Sequence, residues 1–170
     1  MKKKTIGVMC CAVLGFAAAT MPVKAKASDD SDKKFLAMAA QGDQNEIALA
    51  KLAEQKATNP DVKAFAEKMV KDHTQLSASM KPFMQEWGLT APTGPDAETQ
   101  KVWDKLNGLS GTDFDKEYMK DMVSDHTKDL KEFTSEVKDT KDPKFQAAVM
   151  KGKSVVAAHK NMAYDLDKKL

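Results

Sequence analysis

The chain contains three histidines, and two of them sit in one repeated hexapeptide. Met69-Val70-Lys71-Asp72-His73-Thr74 returns 53 residues later as Met122-Val123-Ser124-Asp125-His126-Thr127, with only Lys71 and Ser124 differing. An aromatic stands eight residues before each histidine, Phe65 before His73 and Tyr118 before His126. The third histidine is His159. Neutral imidazole and carboxylate are ligands for zinc, iron or copper. His73, His126 and His159, together with Glu46, are therefore the candidate metal ligands. Asp72 and Asp125 precede the repeat histidines and are turned about 100° from them around a helix. There they could orient a neighbouring ring, with Tyr118 close by. Met69 and Met122 lie four residues before the repeat histidines and Met162 three after His159, on the same faces. A mixed Met/His set would favour copper, although Met is also an ordinary core filler.

The elements that must carry these residues are helices. Ala, Lys, Asp, Leu and Met dominate, and β-branched runs are few. Ser28 to Asp32 reads as a polar start. Spacings of three and four residues then predict a first helix from Lys33 to Ala57, with Phe35, Ala39, Gly42, Glu46, Leu49 and Ala53 on one face. Asn59 and Pro60 form an N-cap and a first helical residue. The second helix runs from there to Trp87, with Phe65, Met69, His73, Leu76, Met80 and Phe83 inward. Pro82 is expected to kink or shorten it, and Gly88 to cap it. Asp96 to Leu109 predicts a short helix with Val102, Trp103 and Leu106 apolar, and Ser110 to Asp113 breaks it. A third long helix spans Phe114 to Asp139, with Tyr118, Met122, His126, Leu130, Phe133 and Val137 inward. Asp142-Pro143 repeats the earlier start signal. The last helix reaches Lys168, with Phe145, Gly152, Val155, His159, Met162 and Leu166 inward.

Tight turns make two antiparallel hairpins of these four long helices. The stretch of about 25 residues between the hairpins is long for bundle neighbours. It suits a crossover that returns the chain along the bundle, as in ferritin-like folds. The expected fold is thus all-α, a ferritin-like four-helix bundle whose crossover contains a short extra helix. Counted at ~1.5 Å per residue, Glu46 and the three histidines fall near one level, one per helix. Each histidine alone is more often a hydrogen-bonded core residue than a ligand; it is the three with Glu46, striped and level, that point to metal. The competing expectation is a structural or interaction bundle with an unknown protein partner and no metal.

Catalytic signals are weak. Di-iron carboxylate bundles place a Glu three residues before a His on two helices; here those positions hold Val70, Val123 and Val156. No Gly-rich phosphate loop and no G-x-S-x-G elbow occurs.

Lys2 to Lys4, the apolar run from Ile6 to Ala19 and Ala25-Lys26-Ala27 make residues 1–27 an export signal, cleaved after Ala27. The expected destination is the periplasm or cell envelope, with no membrane span after cleavage. Residues 28–170 then form one domain. Cys10 and Cys11 would leave with the signal; neither follows the small residue that lipoprotein processing usually needs. The sequence has 27 Lys+Arg and 25 Asp+Glu, but five of the lysines lie before residue 28, so the mature balance is −3. No arginine is present. Arg dominates phosphate and base-edge recognition, and the lysines are interleaved with acids, which speaks against nucleic-acid binding.

Taken together, Phe35-Leu36, Ala39-Ala40 and Glu46, Asn59-Pro60 with Val62-Lys63, Phe65-Ala66, and the block from Met69 to His73 resemble an exported bacterial family, domain of unknown function 4142. Phe114-Asp115, Tyr118-Met119, Asp125-His126 and His159 extend the resemblance over residues 33 to 168. It implies a ferritin-like helical bundle in the cell envelope and no particular activity. The outer-membrane label often given to such proteins finds no barrel strands here. The family positions it implies are Glu46, His73, Tyr118, His126 and His159.

Overall fold

A computed structural model describes residues 30–170. The export segment read at residues 1–27, with Cys10, Cys11 and Ser28, lies outside the described residues. Five helices follow in order: α1 (Asp30–Lys56), α2 (Pro60–Glu86), α3 (Ala97–Asn107), α4 (Gly111–Asp139) and α5 (Pro143–Asp167). None of them is long and apolar enough to cross a membrane.

The two Pro-based starts form as their sequences dictate. The Asn59 side chain accepts hydrogen bonds from the backbone N–H of Asp61 and Val62, at 2.8 and 3.4 Å. Asp142 does the same for Lys144 and Phe145, at 2.8 and 3.1 Å. Each satisfies donors that a helix start leaves orphaned, and the following proline lacks the N–H that would be wasted there. At the end of α2, Gly88 takes a left-handed φ of 69°. This lets the Leu89 N–H reach back to the Met84 carbonyl at 2.9 Å, closing the helix as a Schellman turn. Pro82 does not shorten α2, which runs on to Glu86. The polar start is helical from Asp30, with Asp30 and Asp32 in the first turn, where acids suit the helix dipole.

α1 packs along α2, and α4 along α5, as two hairpins; α2 meets α5 and α1 meets α4. Two polar ties give the relative direction. The Asp115 carboxylate, near the start of α4, accepts from Thr58 N, Thr58 Oγ1 and Asn59 N in the α1–α2 turn, at 3.1, 2.6 and 2.9 Å. At the other end, Thr140 Oγ1 donates to Asp32 Oδ2 at 3.1 Å. Hence α4 begins where α1 ends and runs parallel to α2. The connection between α2 and α4 must therefore travel the length of the assembly, and α3 within it packs on α1 and α4.

The interior has two apolar clusters. One gathers Leu49, Ala53, Val62, Phe65, Met69, Leu106, Phe114, Tyr118 and Met122. The other gathers Phe35, Leu36, Met80, Met84, Phe133, Phe145, Val149 and Val156. Between them, on every long helix, stands a buried polar residue: Asp43 and Glu46 on α1, His73 on α2, His126 on α4 and His159 on α5. Several positions differ from the expected stripes: Met84 rather than Phe83 is buried on α2, and Leu130, Val137, Met162 and Leu166 are only partly buried. Val156, not Val155, is buried, and Gly42 lies at the rim of the core. A 100° step per residue accumulates small phase errors along a helix.

Gly152 has a packing reason. A Cβ there would lie 2.5 Å from Cε1 of Phe133, so α4 and α5 approach closely through the bare backbone. Gly152→Ala is expected to lower stability by about 1–3 kcal/mol through overpacking, read as a drop in the unfolding midpoint. An unchanged midpoint would mean that the Phe133 ring swings aside at no cost.

Candidate metal centre

The three imidazoles converge. One ring nitrogen from each of His73, His126 and His159 lies within 4.8 Å of the other two. The ring centroids are 5.8, 5.2 and 5.4 Å apart for the pairs 73–126, 73–159 and 126–159. All three side chains are buried.

Each ring is held by its other nitrogen. His126 Nδ1 donates to the Met122 carbonyl one turn back in its own helix, at 2.9 Å. A carbonyl only accepts, so the proton sits on Nδ1 and Nε2 carries a lone pair. His159 Nε2 donates to Asp72 Oδ2 at 2.8 Å. Asp72 also pairs with Lys68 at 2.8 Å. Burial works against its charge, but the bonds from Lys68 and His159 win and hold the carboxyl below its ordinary range. His73 Nδ1 lies 2.9 Å from Asp43 Oδ1; with that carboxylate accepting, Nε2 is again the bare nitrogen. The nitrogens left over, His73 Nε2, His126 Nε2 and His159 Nδ1, are buried without a hydrogen-bond partner. The protonation states agree with this. Burial, then the neighbouring imidazoles, push His126 down to about 3. Burial pushes His159 down to about 4, despite the help of Asp72. Both rings are neutral near pH 7 and offer lone pairs.

Of the sequence candidates, Glu46 reaches the polar belt but not the triangle. Its Oε1 is 3.8 Å from His126 Nδ1, the nitrogen already engaged with the backbone. Oε2 is buried with no partner. Burial first, then Asp125, Asp129, Asp43 and Asp121, hold this carboxyl well above the ordinary range. Asp72 orients a ring, whereas Asp125, its counterpart in the repeat, pairs with Lys128 at 3.2 Å instead. Tyr118 sits two turns before His126 with its hydroxyl buried and unpartnered, stacked on Phe114 and edge-on to Phe65. Burial, then Glu46, pushes its phenol well up. Met69 and Met122 are fully buried in the first apolar cluster, and Met162 packs at its edge.

The residue that periodicity missed is Asp43. An Asp on a Lys-rich helix reads as a solvated residue. Its signal was its place three residues before Glu46, hence on the same face. The two repeats end up with unlike surroundings for a related reason. α1 presents Asp43 and Glu46 three apart, while α5 presents Val156 and His159 three apart. α2 thus finds a carboxylate on α1 for His73 and an imidazole on α5 for Asp72. α4 packs against the same two helices in exchanged positions. His126 meets no orienting carboxylate and turns to its own backbone, and Asp125 meets no imidazole.

A family model described as Domain of unknown function (DUF4142) matches residues 17–166. The chain belongs to that family. No curated protein matches it. Similar solved structures include a DUF305 fragment from Deinococcus radiodurans, with a TM-score of 0.74 at 11% identity, over 85% of this chain and 100% of that one. CopM is also similar. Its Cu(II)-bound form has a TM-score of 0.69 and its Ag-bound form 0.68, each at 21% identity over 81% of this chain and 96% of that one. At these identities the likeness is one of fold.

Proposed function

We propose that the mature chain, exported and cleaved after Ala27, is a ferritin-like four-helix bundle of the periplasm or cell envelope. In its core it holds one transition-metal ion through His73, His126 and His159. The observation that carries this is the set of three inward-facing, partnerless ring nitrogens. A buried polar atom without a partner costs about 1–3 kcal/mol. Three of them buried side by side are costly as they stand and well placed around a cation. The donor set fits. Imidazole nitrogens sit ~2.0–2.1 Å from zinc, which at tetrahedral or trigonal angles puts them about 3.4–3.6 Å apart, so nitrogens within 4.8 Å of one another need to draw in by roughly 1 Å. Asp43, the Met122 carbonyl and Asp72 fix the outer nitrogens, the arrangement by which ligating histidines are oriented. Three imidazole nitrogens suit copper or zinc better than an ion that prefers oxygen ligands. That a chain of this fold was solved with Cu(II) and with Ag supports copper.

Metal handling is favoured over turnover. Val70, Val123 and Val156 stand where di-iron bundles place carboxylates, and Glu46 stays outside the triangle. When bound, the ion supplies a positive charge that ties α2, α4 and α5 together. Asp43 and Asp72 keep two rings turned inward, and the apolar clusters pack on either side of the belt. Calorimetric titration of the mature protein with Cu(II) and with Zn(II) tests this. One equivalent is expected, with binding lost in His73→Ala and in His126→Ala. No heat of binding, or binding that survives both substitutions, would leave a bundle of hydrogen-bonded core histidines. Asp43→Ala should keep the stoichiometry and weaken affinity about 10–100-fold; unchanged affinity would remove Asp43 from the site.

A further inference from the structure

Two adjoining cavities open along the seam between α1 and α4, beneath the crossover. One, of about 250 Å³, reaches His73 and Asp43. The other, of about 350 Å³, reaches Glu46. They share Gly42, Asn45, Asp96 and Asp129 on their walls. Asp125 and Glu98 add further acidic groups to the second, against one lysine, Lys128. That lysine is largely exposed and paired with Asp125. The acidic lining is not the only sign of a cation's path. Glu46 is 4% exposed, lines the second cavity and has an unpartnered Oε2. His73, which lines the first, carries a buried, unpartnered Nε2.

The crossover forms the outer rim, stitched to α1 by two side chains. Gln41 Nε2 donates to the Gly94 carbonyl at 3.0 Å. Asn45 Nδ2 donates to Asp96 Oδ2 at 3.0 Å, and its Oδ1 accepts from the Asp96 N–H at 3.0 Å. Gly42 faces the seam in mid-helix. A Cβ built there would meet nothing within 4 Å, so no packing contact calls for glycine, and glycine costs an interior helix position about 1 kcal/mol against alanine. What the missing side chain leaves is width.

We infer that this α1–α4 seam is the route by which a metal cation reaches and leaves the histidine triangle. Asp125 and Asp129 attract the ion at the mouth, Glu46 and Asp43 line the way in, and Gly42 keeps it open. This rests on the metal-binding reading above. It is a statement about rates: groups on a path change how fast an ion arrives and departs, not how many bind. Clefts lined by one sign of charge raise on-rates for the opposite charge, and salt screens the effect.

The test is stopped-flow mixing of the apo mature protein with Cu(II), read by quenching of tryptophan fluorescence, with equilibrium stoichiometry measured alongside. Gly42→Leu, which fills the seam, should slow both loading and chelator-driven release tenfold or more and still bind one equivalent. Gly42→Ala, which adds a single methyl, should slow loading far less than Gly42→Leu. Asp125→Asn with Asp129→Asn should slow loading several-fold at low salt and little at high salt. Asn45→Ala, which unstitches the rim, should speed it. Wild-type rates in both Gly42→Leu and the double Asp variant, with one equivalent bound, would overturn the route and leave the site standing. A wild-type protein that takes up no copper would overturn both.

Discussion

Saturating the apo protein with its metal is expected to raise the unfolding midpoint by about 12 °C. A ligand that binds only the folded state at a thousandfold excess over its Kd adds about 4 kcal/mol. For a chain of this length each kcal/mol moves the midpoint by about 3 °C. The structural reason is that the three imidazoles come from α2, α4 and α5, so one ion joins both hairpins. In the unfolded chain the same histidines are 53 and 33 residues apart in sequence and hold no site. Thermal scans with and without Cu(II) or Zn(II) check this. The shift should vanish in His126→Ala, whose own midpoint should not move on adding metal. A wild-type midpoint indifferent to zinc, copper and iron would contradict the account.

The second large effect concerns acid. An unfolded histidine takes up a proton near pH 6.5, whereas folded His126 does so only near pH 3. Between those values the unfolded chain binds more protons, so lowering the pH favours unfolding. The stability is fully present above about pH 6.5 and is lost as the pH falls toward 3. Each unit is worth about 1.4 kcal/mol. Compared with His126→Leu, the apo wild-type protein should therefore lose about 3 kcal/mol between pH 7 and pH 4. The comparison with a variant is needed because the buried carboxyls work the other way. Asp129, pushed up to about 6 by burial and Asp125, and the raised Asp43 and Glu46 hold protons in the fold that the unfolded chain would give up. They add stability as the pH falls and mask the histidine in a single curve. Denaturant unfolding of both proteins across that range gives the difference. Parallel pH profiles would mean that His126 is wet or already charged.

Much of this was legible because local chemistry and tertiary packing agree. Asn59-Pro60 and Asp142-Pro143 start helices in peptides and in bundles alike, and the structure puts α2 and α5 there. The stripes through His73, His126 and His159 are apolar for two turns on either side, so those rings had to face inward, and their level followed from counting residues. The crossover followed from length alone. What periodicity could not supply was rotation within the belt. Glu46 has the right level and the right stripe, yet it stands beside the engaged nitrogen of His126. Whether a side chain enters a triangle or flanks it depends on a few degrees of helix rotation. Asp43 was missed because an aspartate is usually at the surface, and only the His73 ring opposite makes its burial tolerable. Asp125 matched Asp72 in sequence but not in environment, since a repeat fixes the residue and not the helix it packs against.

The most direct measurement is the elemental content of the mature protein isolated from the periplasm without an affinity tag or chelator, beside His73→Ala and His126→Ala prepared the same way. The account predicts about one equivalent of a single transition metal in the wild-type protein, and none in either variant. Metal-free wild-type protein, or the same metal content in all three, would contradict it.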